Sequence, residues 1–272
     1  MRGTRFTLMH GAKLVLALGW SDFVLKYRGS VLGYLWSLLV PLSRFIVILI
    51  VLRPFVAHGD PSYPLALLLG LLLWDFFSGA TNACIATLRE KSDLIQRIAF
   101  PRIIIELSAI WTQSIVILCH VSLFILLAWG MGTPPSLRTL AMIPILFCGA
   151  LLSLGIGAML ASISLKYRDI PHLWQSVLQI FFWLTPVAYP ASSLTHALQE
   201  LSILPPTVRT ALTDIMTVQP LSIFIETARS ALLHSTLPST TSILIACIIS
   251  MLWAIVGVML FRTRSAHFLE EL

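Results

Sequence analysis

Six stretches of this chain are apolar almost without interruption, near residues 31–52, 64–84, 103–129, 140–165, 173–189 and 243–261. A helix that crosses a bilayer needs about 20 such residues. The pattern therefore predicts an all-α polytopic membrane protein with six transmembrane helices. The fifth stretch has only 17 residues, and Pro186 breaks its outer end. The third and fourth are long enough to tilt or to extend beyond the hydrocarbon. Composition agrees: 57% of the 272 residues are hydrophobic and 11% are charged, with a mean hydropathy of +0.90. A soluble domain carries roughly 25% charged residues, so this chain has too few to clothe a soluble core.

Charge then orients the spans. Arg2, Arg5, Lys13, Lys26 and Arg28 precede the first span; Arg89, Lys91, Arg97 and Arg102 lie between the second and third; Lys166 and Arg168 follow the fourth; Arg262 and Arg264 follow the sixth. That is 13 of the 18 basic residues on one side. The other side holds Arg53, Arg138, Arg209 and Arg229. The positive-inside rule places both termini in the cytoplasm. The net charge of +6 is thus a topological signal, and it gives no reason to expect nucleic acid as a partner.

Three segments between spans carry patterns of their own. Leu16, Trp20, Phe23 and Tyr27 share one helical face, which predicts an N-terminal amphipathic helix, lying in the membrane interface or packed on the protein's own loops. Thr87 and Glu90 have capping-box spacing ahead of Leu94, Ile95 and Ile98, and Pro101 stops the run. This is a short cytoplasmic helix, suited to docking a partner or to lying on the membrane surface. Residues 190–242 are mostly neutral and are broken by Pro205, Pro206 and Pro220, with a short helix expected over 223–233. A re-entrant pair of short helices on the outer side fits, and so does a compact outer loop. The chain divides into a cytoplasmic amphipathic segment, 1–30, and a six-helix transmembrane domain, 31–272. The apolar stretch at 14–20 is too short for a signal peptide with Asp22 and Lys26 directly after it, so it is expected to be retained.

Little else in the chain points to chemistry. Cys84, Cys119, Cys148 and Cys247 all sit in apolar runs without ligand spacing and read as buried free thiols. No phosphate-cradling G-x-x-x-x-G-K-[ST] motif is present.

In order along the chain, several local motifs resemble one family. They are the run KYRGSVLGYLWSLLVP from Lys26 to Pro41, Leu94-Ile95 with Phe100-Pro101-Arg102, Arg168-Asp169, FWLTPVAY from Phe182 to Tyr189, Gln219-Pro220 with Arg229, and Phe261-Arg262 with Phe268. Together they resemble ABC-2 type permeases that export polysaccharides, in the O-antigen and teichoic-acid branch. Gln219 departs from the family's usual Asn. The resemblance implies a homodimer with two separate nucleotide-binding ATPase subunits, which bind the ATP and Mg; this chain itself would hold no cofactor, no metal and no catalytic residue. It implies a lipid-linked glycan as substrate and the bacterial inner membrane as location. Drug or small-lipid export by an ABC-2 protein is the alternative, followed by an ion-coupled secondary transporter or a membrane enzyme. The scattered acids and histidines favour neither of the last two.

On that resemblance, the first and fifth spans line the substrate path. Its candidate residues are Tyr34, Trp36, Arg44, Phe181, Phe182, Trp183 and Tyr189, because an aromatic ring lets the apolar face of a sugar slide without fixed hydrogen bonds. The candidate ATPase contact is Arg89, Leu94, Ile95, Arg97, Phe100 and Arg102. Arg44 and Asp75 are charges inside apolar runs, each costing about 2.5–3.5 kcal/mol at mid-bilayer without compensation. Counted from the outer ends of their spans, their depths differ by about 4–5 Å at about 1.5 Å per residue. They are placed either to pair with each other or to leave Arg44 facing the path. Reversing charge at Arg97 and Arg102 together is expected to uncouple ATP hydrolysis from export while the protein still inserts. Parallel ATPase and export assays check this, and normal export by the double variant would remove the contact from that loop.

Overall fold

In the computed structural model the described residues are 8–57, 60–91, 94, 100–134, 137–190, 205–233 and 240–265. Among them every regular element is a helix: α1 Leu8–Tyr27, α2 Leu35–Val56, α3 Tyr63–Glu90, α4 Ile103–Gly130, α5 Met142–Ser164, α6 Ile170–Leu184, α7 Pro206–Val218, α8 Pro220–Leu232 and α9 Thr240–Ser265, with a 3-10 turn Leu137–Ala141 before α5. Five are long and apolar enough to cross a membrane: α2, α3, α4, α5 with its preceding turn, and α9. The stretch expected to be the fifth span is different. Its helix, α6, has 15 residues, about 22 Å at about 1.5 Å per residue. That falls short of a hydrocarbon core of about 30 Å.

The helix α3 is the axis of the bundle. Leu67, Leu68, Leu69, Leu71 and Leu72 point in every direction around it, yet none is more than 1% exposed. A helix that is apolar all round is stable only when neighbours surround it, and α4, α5, α6 and α8 pack against this one. The tightest helix pair is α5 with α9. A Cβ on Gly155 would collide with the backbone of Trp253 and Ala254, and one on Gly257 with the carbonyl of Gly155. In a membrane, where lipid is as apolar as leucine, such close backbone contact is a main source of helix association.

Several local expectations change. Thr87 is not an N-cap: α3 runs on to Glu90, and the Thr87 hydroxyl donates to the Ala83 carbonyl one turn back, at 2.6 Å. In α1 the expected stripe is only partly used. Phe23 is buried, but Leu16 and Trp20 are exposed. The helix lies along α4, where Thr112 donates to the Gly19 carbonyl at 3.0 Å, and Lys91 pairs with Asp22 at 2.5 Å. Backbone access at Gly19 selects the docking face here, rather than the aromatic stripe. The four cysteines are free thiols, yet Cys119 is exposed on the outer face of α4.

Beyond α6 the chain leaves the helix but stays buried. Thr185 is extended (φ −91°, ψ 139°), as the residue before a proline prefers, and Thr185, Val187 and Ala188 are fully buried. Buried carbonyls that leave a helix need new donors. The described neighbours supply them. Gln219 Nε2 lies 3.3 Å from the Leu184 carbonyl and 2.9 Å from Thr185 Oγ1. Tyr63 donates its hydroxyl to the Ala188 carbonyl at 2.9 Å. Arg229 donates to the carbonyls of Val187 (2.7 Å) and Tyr189 (3.2 Å), and also to Ala66 on α3 (3.2 Å). The fork of the guanidinium thus clamps the segment to α3 and α8.

A lysine at position 229 would keep the charge but could not span three carbonyls. Arg229→Lys is expected to cost about 2–4 kcal/mol, since two buried carbonyls lose their donor. Thermal unfolding in detergent would report the loss, and amide hydrogen exchange would rise first across 184–189.

A neutral aromatic and amide cleft between α2, α3 and α6

The clamp fixes where α6 ends; two side chains fix where it sits. Trp174 Nε1 donates to Thr81 Oγ1 on α3 at 3.0 Å. Phe182 meets Trp74 of α3 edge-on, with centroids 5.5 Å apart at 77°. Between these anchors a cleft of about 420 Å³ opens among α2, α3 and α6. Its walls follow helical spacing. From α2 come Arg44 and Ile48; from α3 come Trp74, Asp75, Ser78 and Asn82; from α6 come Gln175, Leu178, Gln179, Phe182 and Trp183.

Charge in the cleft cancels. Arg44 Nη1 lies 2.5 Å from Asp75 Oδ1, with side chains 44% and 17% exposed. Arg44 therefore pairs with Asp75, one of the two placements considered from sequence, and also lines the cleft. No other charged side chain lines the space. The remaining polar groups are neutral. Asn82 donates to the Ser78 carbonyl at 2.9 Å, and the exposed amides of Gln175 and Gln179 stand one turn apart on α6. Around them, Trp74 of α3 and Phe182 and Trp183 of α6 supply ring surface, Phe182 lying edge-on to Trp183 at 5.1 Å. Such a wall offers donors and acceptors for hydroxyl groups and flat apolar faces, without a fixed charge to hold an ion.

The expected path residues separate into groups. Arg44, Phe182 and Trp183 meet in the cleft. Phe181 is exposed on α6, outside the cleft lining. Tyr189 belongs to the clamped segment, where its hydroxyl donates to the Trp183 carbonyl. Tyr34 precedes α2, stacked on Phe23 at 5.1 Å and 9°, and Trp36 is exposed in the first turn. His120 of α4 reaches the Ser37 carbonyl at 2.7 Å, tying the start of α2 to the bundle. Of the expected ATPase contact, Leu94, Phe100 and Arg102 are partly buried. Ile95, Arg97 and the Arg89 side chain lie outside the described residues.

Sequence reasoning overlooked Asn82, Gln175 and Gln179. The available signal was three amides inside apolar runs, two of them four residues apart. It also gave Gln219 too little weight, although that side chain reaches three acceptors, the third being Ser222 Oγ at 2.7 Å.

Comparison with known proteins now bears on this geometry. The model of the ABC-2 type transporter family matches residues 13–210. The chain belongs to that family. Among curated proteins it is similar to the O-antigen export system permease protein RfbA of Klebsiella pneumoniae, 24% identical over 269 residues and covering 98% of both chains. It is also similar to the Myxococcus xanthus protein of the same name, 25% identical over 181 residues, covering 66% of this chain and 70% of that one. This ABC-2 protein is thus a membrane permease with a ring-lined cleft between α2, α3 and α6.

The ion pair in that cleft is testable by itself. Asp75→Ala is expected to lower the unfolding temperature in detergent, and Arg44→Ala made in addition should restore part of the loss. The coupling from the double-mutant cycle should be about 1 kcal/mol, because the pair is partly exposed. Additive effects would mean that the two charges do not depend on each other.

Proposed function

We propose that this chain is the permease subunit of an ATP-binding cassette exporter that moves a lipid-linked polysaccharide of the O-antigen type out across the bacterial cytoplasmic membrane. The observation that carries the proposal is the cleft: aromatic faces and exposed amides around a cancelled charge, open between α2, α3 and α6. Sugars present apolar ring faces and hydroxyls, which such walls match; an ion-coupled transporter would place unpaired carboxylates there instead. The relatives that align over nearly the whole chain are named O-antigen export permeases, which supports the same substrate class.

In this reading α6 and the clamped segment 185–189 together make the fifth of six crossings. The short helices α7 and α8 dip in from the outer side, and both termini lie in the cytoplasm, in keeping with the basic residues of the inner loops. Two copies assemble as a homodimer. The helix α2, which within one chain buries only Pro41 completely, gains its missing neighbour there. Two separate ATPase subunits bind ATP and Mg and act on the cytoplasmic surface, including the loop from Arg89 to Arg102.

Polar face and drive can be separated by experiment. The permease, co-purified with its ATPase subunit and reconstituted in proteoliposomes with lipid-linked glycan, should export in an ATP-dependent manner. Gln175→Leu with Gln179→Leu is expected to cut export at least about tenfold, the equivalent of one or two lost hydrogen bonds in the rate-limiting state, while assembly with the ATPase persists. Unchanged export by the double variant would overturn the assignment of the cleft. Failure to co-purify with any ATPase would overturn the exporter reading.

A further inference from the structure

A second cavity shares no lining residue with the cleft. It has a volume of about 670 Å³ and runs between α1 and the cytoplasmic half of α4. Its walls are Ala12, Val15 and Leu16 of α1 against Ile103, Leu107 and Trp111 of α4, and Arg262, in the last turn of α9, stands at its rim. The one hydroxyl in the lining, Ser114, is already satisfied by the Ile110 carbonyl at 2.8 Å. Water would thus find almost no partners inside, and hydrocarbon would be the better occupant.

Dimensions and charge narrow the choice. From Ile103 to Ser114 the groove follows 11 residues of α4, about 16 Å at about 1.5 Å per residue. Half of a hydrocarbon core of about 30 Å is nearly the same depth. The cationic rim is at the cytoplasmic end, because α9 ends there and Arg262 and Arg264 lie in its final turn. A guanidinium fork matches a phosphate in geometry as well as charge.

We infer that this groove holds one acyl chain of an anionic phospholipid from the cytoplasmic leaflet, with its phosphate at Arg262, and that the lipid helps to seat α1 on α4. The occupant completes an interface that the protein leaves open: α1 touches α4 closely around Gly19 and Thr112, but beside that contact its apolar side chains border the void.

The test uses the full-length permease in nanodiscs of phosphatidylglycerol and phosphatidylcholine. Native mass spectrometry should find phosphatidylglycerol retained in preference to phosphatidylcholine. Arg262→Gln, an exposed position, should reduce that preference about fivefold, the effect of one basic residue at an anionic surface. Independently, the fluorescence contributed by Trp111, taken as wild type minus Trp111→Phe, should be quenched more by brominated phosphatidylglycerol than by brominated phosphatidylcholine. No lipid preference in the wild type, or a preference untouched by Arg262→Gln, would overturn the inference. So would a photoreactive residue introduced at Ser114 that cross-links to a second copy or to an ATPase subunit instead of to lipid.

Discussion

The structure depends on how it satisfies backbone that has left the helix inside a membrane protein. Pro186 ends α6 early, and the carbonyls from Leu184 to Tyr189 would then be buried without donors. Arg229, Tyr63 and Gln219 supply them from α8, from α3 and from the turn before α8. Each of these side chains is otherwise a poor choice for an apolar interior. Burying a guanidinium costs several kcal/mol unless its donors are used, and here they are used on backbone that needs them. The same bonds draw α8 into the bundle, so one constraint fixes the end of α6, the start of the segment after it and the position of the short helices.

Everything that surrounds the cleft follows from this anchoring and from close packing elsewhere. The α5–α9 pair, held by facing glycines, and the largely buried α3 form a rigid frame. Against it, α6 is pinned near its start by Trp174 and near its end by Phe182 and the clamp. Its amides at Gln175 and Gln179 then face α2 and α3. Exposed amides would be poorly placed against lipid, which offers no hydrogen bonds. Beside Arg44, Asp75 and Asn82 they form one continuous polar patch. By contrast α2 is loosely held, through Ser37, Arg44 and a few apolar contacts, and it is the least buried of the five long apolar helices.

Much of the helix inventory was legible from periodicity and length, because a bilayer imposes one dimension on every crossing. Five stretches became long helices close to their expected limits, and the short helix after Pro220 appeared where it was expected. Counting also allowed the Arg44–Asp75 contact as one of two placements, since the charges lie at similar depth on antiparallel neighbours, and the structure pairs them. The capping box at Thr87 failed for a simple reason: local spacing cannot say whether the preceding helix has already ended. The aromatic stripe of α1 failed because exposure depends on the neighbour, and Gly19 gives α4 closer access than Leu16 or Trp20.

By itself, then, the sequence determined a helical membrane protein and most of its long apolar helices, because hydrophobic length acts through the bilayer and needs no tertiary contact. Only the tertiary structure decided that the stretch around Pro186 is half helix and half clamped backbone. It alone brought Asn82, Gln175 and Gln179 into one wall, and left a groove open beneath α1. Those features depend on hydrogen bonds and side-chain contacts between residues as many as 163 positions apart, as from Arg229 to Ala66, and no local pattern along the chain records them.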